Sequence, residues 1–198
     1  MAYTEEQVIA RISQVLQDTV NDIWGTAEIS GQITESLREL SSYCPRLTFA
    51  TVTFASTVNE LSISSLSSRL YVETVEYEVG KVPRRFRNFD EYGDTLVVDI
   101  SFAPSQGGTA YVCYAIPHEL SGTVTNTMKP QEERLLIDLV AARLAISKAM
   151  NAINKVNVGG ERTWVDFQSW GERKLVQVLS DLHKVATPKM AIDYPKVQ

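Results

Sequence analysis

The sequence predicts an α+β protein. N- and C-terminal helix pairs form a four-helix bundle, a small antiparallel β sandwich or barrel is inserted between helices 2 and 3, and an extended arm follows the last helix. Three observations carry this prediction. Apolar residues recur every three or four positions at both ends of the chain, and the period falls to two between Arg46 and Leu120. The final segment, Thr187–Gln198, holds Pro188 and Pro195, which exclude a regular helix. The boundaries that follow are 1–45 and 121–186 for the bundle, 46–120 for the β insertion and 187–198 for the arm.

The first helix opens at Thr4-Glu-Glu-Gln7, the spacing of a capping box, and lines Val8, Ile12, Val15 and Leu16 on one face before ending near Asp18. A polar connector, Asp18 to Asp22, leads to Ile23-Trp24-Gly25. Thr26 then caps a second helix repeating Ile29, Ile33, Leu37 and Leu40, which Pro45 stops. The third helix runs from Pro130 to Val158 with Leu135, Leu139, Ala142, Ile146, Met150 and Ile153 on one stripe. Gly159-Gly160 reads as a helix-stopping turn. The fourth helix carries Trp164, Phe167, Gly171, Leu175, Val178 and Leu182. Gly171 stands where the stripe calls for a side chain, so another backbone is expected close by. Neither helical pair has enough apolar face to stand alone, so the two pairs are expected to pack together.

Between them, Val, Thr, Tyr, Phe and Ser dominate. Val75-Glu-Tyr-Glu-Val79 places three apolar residues on one face and two glutamates on the other. Leu96, Val98, Ile100 and Phe102 alternate along a second strand, and Tyr111–Ile116 makes a third. Pro104–Gly108 reads as the hairpin loop joining these two. Runs at Leu47–Ala55 and Glu60–Leu66 are expected to pair at an edge. Five or six strands in about 75 residues suit a sandwich or barrel.

The composition is that of an ordinary globular chain: 198 residues, 44% apolar and 22% charged. A net charge of −5 argues against nonspecific DNA binding. No apolar run approaches the roughly 20 residues of a membrane helix. Met1–Gln7 lacks the basic start of a signal peptide, so secretion is not expected. Cys44 and Cys113 sit in unrelated contexts and are expected as two thiols in a reducing cytoplasm.

No catalytic constellation stands out, and neither an enzyme activity, a cofactor nor a metal is expected. His118 and His183 lack the partners a zinc site needs, so structural roles are expected for both. There is no Gly-x-Ser-x-Gly elbow and no Gly-Lys-Ser/Thr after Gly159-Gly160. Asp90, Glu91, Asp94 and Asp99 do not have the spacing of a calcium loop, and Gly93-Asp94 reads as a turn. The one basic cluster, Lys81-Val-Pro-Arg-Arg-Phe-Arg87, precedes Asp90, Glu91 and Asp94, which are expected to cancel it. Arg84, Arg85 and Arg87 are therefore candidates for an edge strand or a subunit contact rather than nucleic-acid binding. Trp164 and Phe167 fall on the apolar stripe, whereas Trp170 lies beside it and is a candidate interface anchor.

These features resemble a head–tail adaptor (connector) protein of a tailed bacteriophage. The resemblance rests on the N-terminal helix pair joined through Asp22-Ile-Trp24 and closing in Leu37-Arg-Glu-Leu-Ser-Ser-Tyr-Cys-Pro-Arg46. It rests also on the strand running into Tyr114-Ala-Ile-Pro-His118-Glu-Leu120. The third feature is the helix Glu132–Arg143 followed by Trp164-Val-Asp-Phe-Gln-Ser-Trp170. It covers nearly the whole chain; the β insertion departs from the simplest, mostly helical adaptors. The resemblance implies a ring, typically of twelve copies, in the virion neck, assembled in the host cytoplasm. Such a ring sits beneath the portal protein, extends the DNA channel without sequence-specific binding, and meets a tail terminator or other tail proteins, with no membrane involved. It also implies that the arm reaches the portal. Lys189, Ile192, Tyr194, Pro195, Lys196 and Val197 would make that contact, an expectation that suits apolar anchors on a segment with no core of its own. The competing reading is a monomeric binding module whose β region takes a glycan or peptide in a pocket lined by Tyr71, Tyr77, Tyr92 or Tyr111.

Overall fold

The computed structural model describes residues 3–20, 22–120, 127–152 and 163–186. Among them the chain forms four helices and seven strands, with all the strands between the second and third helices. Its described residues divide into two compact units: a helical one containing the residues up to Pro45 and those from His118 to Ala186, and a β unit spanning Arg46–Pro117.

In the helical unit, α1 (Glu5–Val15) starts at the expected capping box, with the Gln7 N–H donating to Thr4 Oγ1 and the Thr4 N–H donating to Gln7 Oε1. α2 (Thr26–Tyr43) has Gly25 rather than Thr26 as its N-cap, because Gly25 is the residue in extended conformation and Thr26 is already helical. α3 (Pro130–Ala152) begins with proline, whose missing N–H costs nothing in the first turn, and Glu132 reaches back to accept the Lys129 N–H at 2.7 Å. α4 is Thr163–Val185. Gly159-Gly160 and Ile153 lie outside the described residues.

α3 packs against the other three helices, and this corrects the expectation of a single stripe. Leu135, Leu139 and Ala142 are buried, but so are Leu136, Ile137, Val140, Ala141, Leu144 and Ala145, while Met150 is 62% exposed. A helix with neighbours on several sides buries more than one face, and the Leu-Leu-Ile-Asp-Leu-Val-Ala-Ala run is apolar nearly all round. α4 keeps to one stripe, with Val178 and Leu182 in the shared core.

In the β unit, β1 (Arg46–Thr53), β3 (Tyr71–Tyr77), β4 (Phe86–Arg87) and β7 (Thr109–Ile116) form one antiparallel sheet in the order β1-β7-β3-β4. β2 (Glu60–Ser62), β5 (Phe89–Tyr92) and β6 (Thr95–Val98) form another in the order β2-β6-β5. Val52, Val75 and Val112 from the first sheet share a core with Leu61, Leu96 and Val98 from the second.

Four expectations about the strands are corrected. The runs beginning at Leu47 and Glu60 do not pair with each other: β1 pairs with β7 and β2 with β6, because the chain crosses from one sheet to the other after the fully buried Phe54. For the same reason Pro104–Gly108 is a crossing between sheets, not a hairpin loop. Its Gly107 N–H donates to the Phe54 carbonyl, and the Gly108 carbonyl accepts from the Phe54 N–H. The strand expected over Leu96–Phe102 ends at Val98, where its partners β2 and β5 run out, although Ile100 still enters the core. The strand expected at Val75–Val79 starts earlier, at Tyr71, and stops at Tyr77, because Glu78 takes φ +64° and turns the chain.

Candidate interaction site

On the helical unit, the α1–α2 connector is fixed by one carboxylate. Asp18 accepts the N–H groups of Asp22 at 3.0 Å, Ile23 at 2.9 Å and Trp24 at 2.9 Å. Burial pushes its pKa up, but these three donors and the nearby Lys148 ammonium outweigh it and hold the carboxyl below the usual range. Trp24 is fully buried, with its indole N–H on the Leu144 carbonyl at 3.2 Å, and Lys148 donates to the Ile23 carbonyl. Side chains that the connector cannot bury are turned outward, leaving Val20 73% and Ile23 39% exposed. Beside them, Val15, Leu16, Phe167 and Trp170 line an open pocket of about 510 Å³.

Trp170, the expected anchor, is half-buried and packs against the helical core, as does Phe167. Trp164 is half-buried too and touches the Phe167 ring, with centroids 5.9 Å apart. The ordering expected from the stripe, with Trp164 in the core and Trp170 beside it, is therefore modified. The first turn of α4 lies at the margin of the core, and Trp170, one and a half turns further in, reaches it.

On the β unit, the basic cluster sits on the β3–β4 hairpin, and its counter-charges differ from those expected. Arg85 pairs with Glu78, Arg87 lies 3.9 Å from Glu78, and Arg84 lies 3.9 Å from Glu76. Glu91 and Asp94 are instead taken by Arg69, which also donates to the carbonyls of Ile63 and Gly93. Strand pairing brings β3 against β4, whereas the residues after Phe89 leave for the other sheet. Glu76, expected on a solvent face, is buried and accepts the Gly80 N–H at 3.4 Å. Arg87 Nε is a buried donor without a hydrogen-bond partner among the described residues. The hairpin tip projects Val79, 43% exposed, and Val82, 97% exposed.

The sequence reading missed Asp18, Arg69 and the valines of this tip. An aspartate four to six residues ahead of Asp22-Ile-Trp24 was a usable sign of a side-chain cap; Arg69 carried none.

His118 is buried. Its Nε2 lies 2.7 Å from the Cys44 carbonyl oxygen, its Nδ1 lies 3.0 Å from Thr127 Oγ1, and Glu132 is 3.8 Å away. Exposed His183 bonds the Leu179 carbonyl at 2.7 Å. Cys44 and Cys113 are buried thiols, and burial, reinforced by Glu73, pushes the Cys113 thiol up. Of the tyrosines of the competing reading, Tyr71 and Tyr77 lie on β3, with Tyr77 in the β core, Tyr92 is on the other sheet, and Tyr111 stacks on Phe49 at 5.3 Å. Among the described residues no three potential metal ligands converge, and no helix is long and apolar enough to cross a membrane. Lys189, Ile192, Tyr194, Pro195, Lys196 and Val197 lie outside the described residues.

No protein-family model matches this chain, and no curated protein is significantly similar to it.

Proposed function

We propose that this chain is a structural head–tail adaptor of a tailed bacteriophage, forming a ring beneath the portal that extends the DNA channel and receives tail proteins. The observation that carries the reading is that each folded unit leaves an apolar surface uncovered. The helical unit exposes Val15, Val20 and Ile23 beside Trp170, and the β unit exposes Val79 and Val82. Apolar side chains held outward by ordered backbone suit contact with other proteins. A subunit of a ring needs at least two such faces, because each copy meets two neighbours.

In this reading the four helices form the bundle, the β unit is the insertion, and residues 187–198 are the arm that reaches the portal. Trp170, Arg84, Arg85 and Arg87 belong to contacts between subunits. The chain acts by position and not by catalysis. Its net charge of −5 suits a channel through which DNA slides without sticking.

Co-purification tests it. A tagged chain is mixed with isolated portal rings, and a stoichiometric complex is the expected result. Failure to bind, together with absence of the chain from the necks of purified particles, contradicts the reading.

A further inference from the structure

The two uncovered surfaces have complementary chemistry. The pocket on the helical unit is walled by Val15, Leu16, Ile23, Phe167 and Trp170, and among the described residues its one charged lining residue is Asp166. The hairpin tip on the β unit presents Val82, 97% exposed, beside the exposed Lys81. We propose that the hairpin tip of one copy docks in the Trp170 pocket of a neighbouring copy, with Val82 against the apolar wall and Lys81 paired with Asp166. The inference rests on the ring assembly proposed above and names the two faces that would build it.

Both sides are ordered in advance. The tip is held by the Gly80 N–H on Glu76, the Lys81 N–H on the Glu78 carbonyl and the Tyr77 N–H on the Arg85 carbonyl. The connector beside the pocket is held by Asp18. Little conformational freedom is therefore lost on contact. Tryptophan in an apolar pocket is a frequent centre of binding energy, and a lysine–carboxylate pair at the rim adds specificity and register. Because the contact joins different faces of two identical chains, each docked copy keeps one free tip and one free pocket. Such an interface propagates and closes when the rotation per copy divides a full turn.

Cross-linking between two single variants of the full chain tests the contact. Val82→Cys protein is mixed with Ile23→Cys protein and treated with a short bismaleimide; the native Cys44 and Cys113 are buried. The expected result is a heterodimer formed in at least ~10-fold higher yield than with Val58→Cys in place of Val82→Cys. Val58 is the control because it is 52% exposed on another loop of the same unit. Lys81→Glu added to the Val82→Cys protein, or Asp166→Lys added to the Ile23→Cys protein, should each lower the yield about tenfold, and the two together should restore it. Equal yields with Val58→Cys, or no restoration by the charge exchange, overturn the inference. If deleting Met190–Gln198 abolishes the cross-link while the charge changes have no effect, the tail and not the tip–pocket contact holds the copies together, and the inference is likewise wrong. These failures leave the adaptor reading standing, because portal binding is measured separately.

Discussion

A Cβ on Gly171 of α4 would lie 2.8 Å from the Ala142 carbonyl oxygen of α3 and equally close to Ile146 Cγ1. The two helices touch backbone to backbone there, and only hydrogen fits between them. Gly171→Ala should therefore destabilise the helical unit although alanine is the better helix former, by about 1–3 kcal/mol for overpacking. Urea denaturation measures it, with the exposed Ser169→Ala as the neutral comparison. An unchanged or raised midpoint for Gly171→Ala would show that the helices can separate at no cost.

Asp18 makes stability depend on acid. Its folded pKa lies below the ordinary value of 3.8, so its contribution is complete above that value and is lost as pH falls through the depressed one. Asp18→Asn should melt several degrees lower than the native chain at neutral pH, and the gap should narrow below about pH 3.8. Melting curves from pH 7 to pH 3 for both proteins test this. A gap independent of pH would mean that the carboxylate charge does not matter to the three N–H groups it accepts.

His118 and His183 should respond differently to the same change. His118→Leu removes the ring's hydrogen bonds to the buried Cys44 carbonyl and to the Thr127 hydroxyl, which also accepts the Glu119 N–H. Its expected cost is about 1–3 kcal/mol. His183→Leu removes an exposed ring that meets Tyr43 edge-on, and should change stability by less than about 0.5 kcal/mol. Equal effects in denaturant titrations would show that the buried ring is not a structural link.

The parts of the fold legible in the sequence are those set by local chemistry. The Thr4–Gln7 box, the α4 stripe and the close approach at Gly171 each follow from a few neighbouring residues. Strand pairing was not legible, because alternation tells which face a side chain takes and not which strand lies beside it. That is why the partners of β1 and β2, and the crossing at Pro104–Gly108, came out differently. The one-stripe reading of α3 failed because Leu135–Ala142 is apolar on nearly every side and three helices surround it. At the candidate site, the basic residues were visible but their partners were not. Glu76 and Glu78 reach them across a hairpin, while the acids that follow in sequence belong to the other sheet. Val82 carried no signal, since a lone valine between Lys81 and Pro83 says nothing of its exposure.

An assembled ring should have an acidic or neutral inner wall. DNA carries one charge per ~1.7 Å of axis, so a basic wall would hold it fast. A reconstruction of the particle neck shows which side chains line the channel. A wall formed by Arg84, Arg85 and Arg87 would contradict a passive conduit and assign those side chains to the DNA.

The most direct test of the adaptor reading is the affinity for portal-bearing heads of the intact chain and of one lacking Met190–Gln198. Ordering an arm costs ~1–2 kcal/mol per residue in backbone entropy, so a docking contact must be extensive to hold it. The expected result is an unchanged melting temperature for the truncated chain and complete loss of attachment to the heads. Full-affinity attachment without the arm, or no attachment by the intact chain, would contradict it.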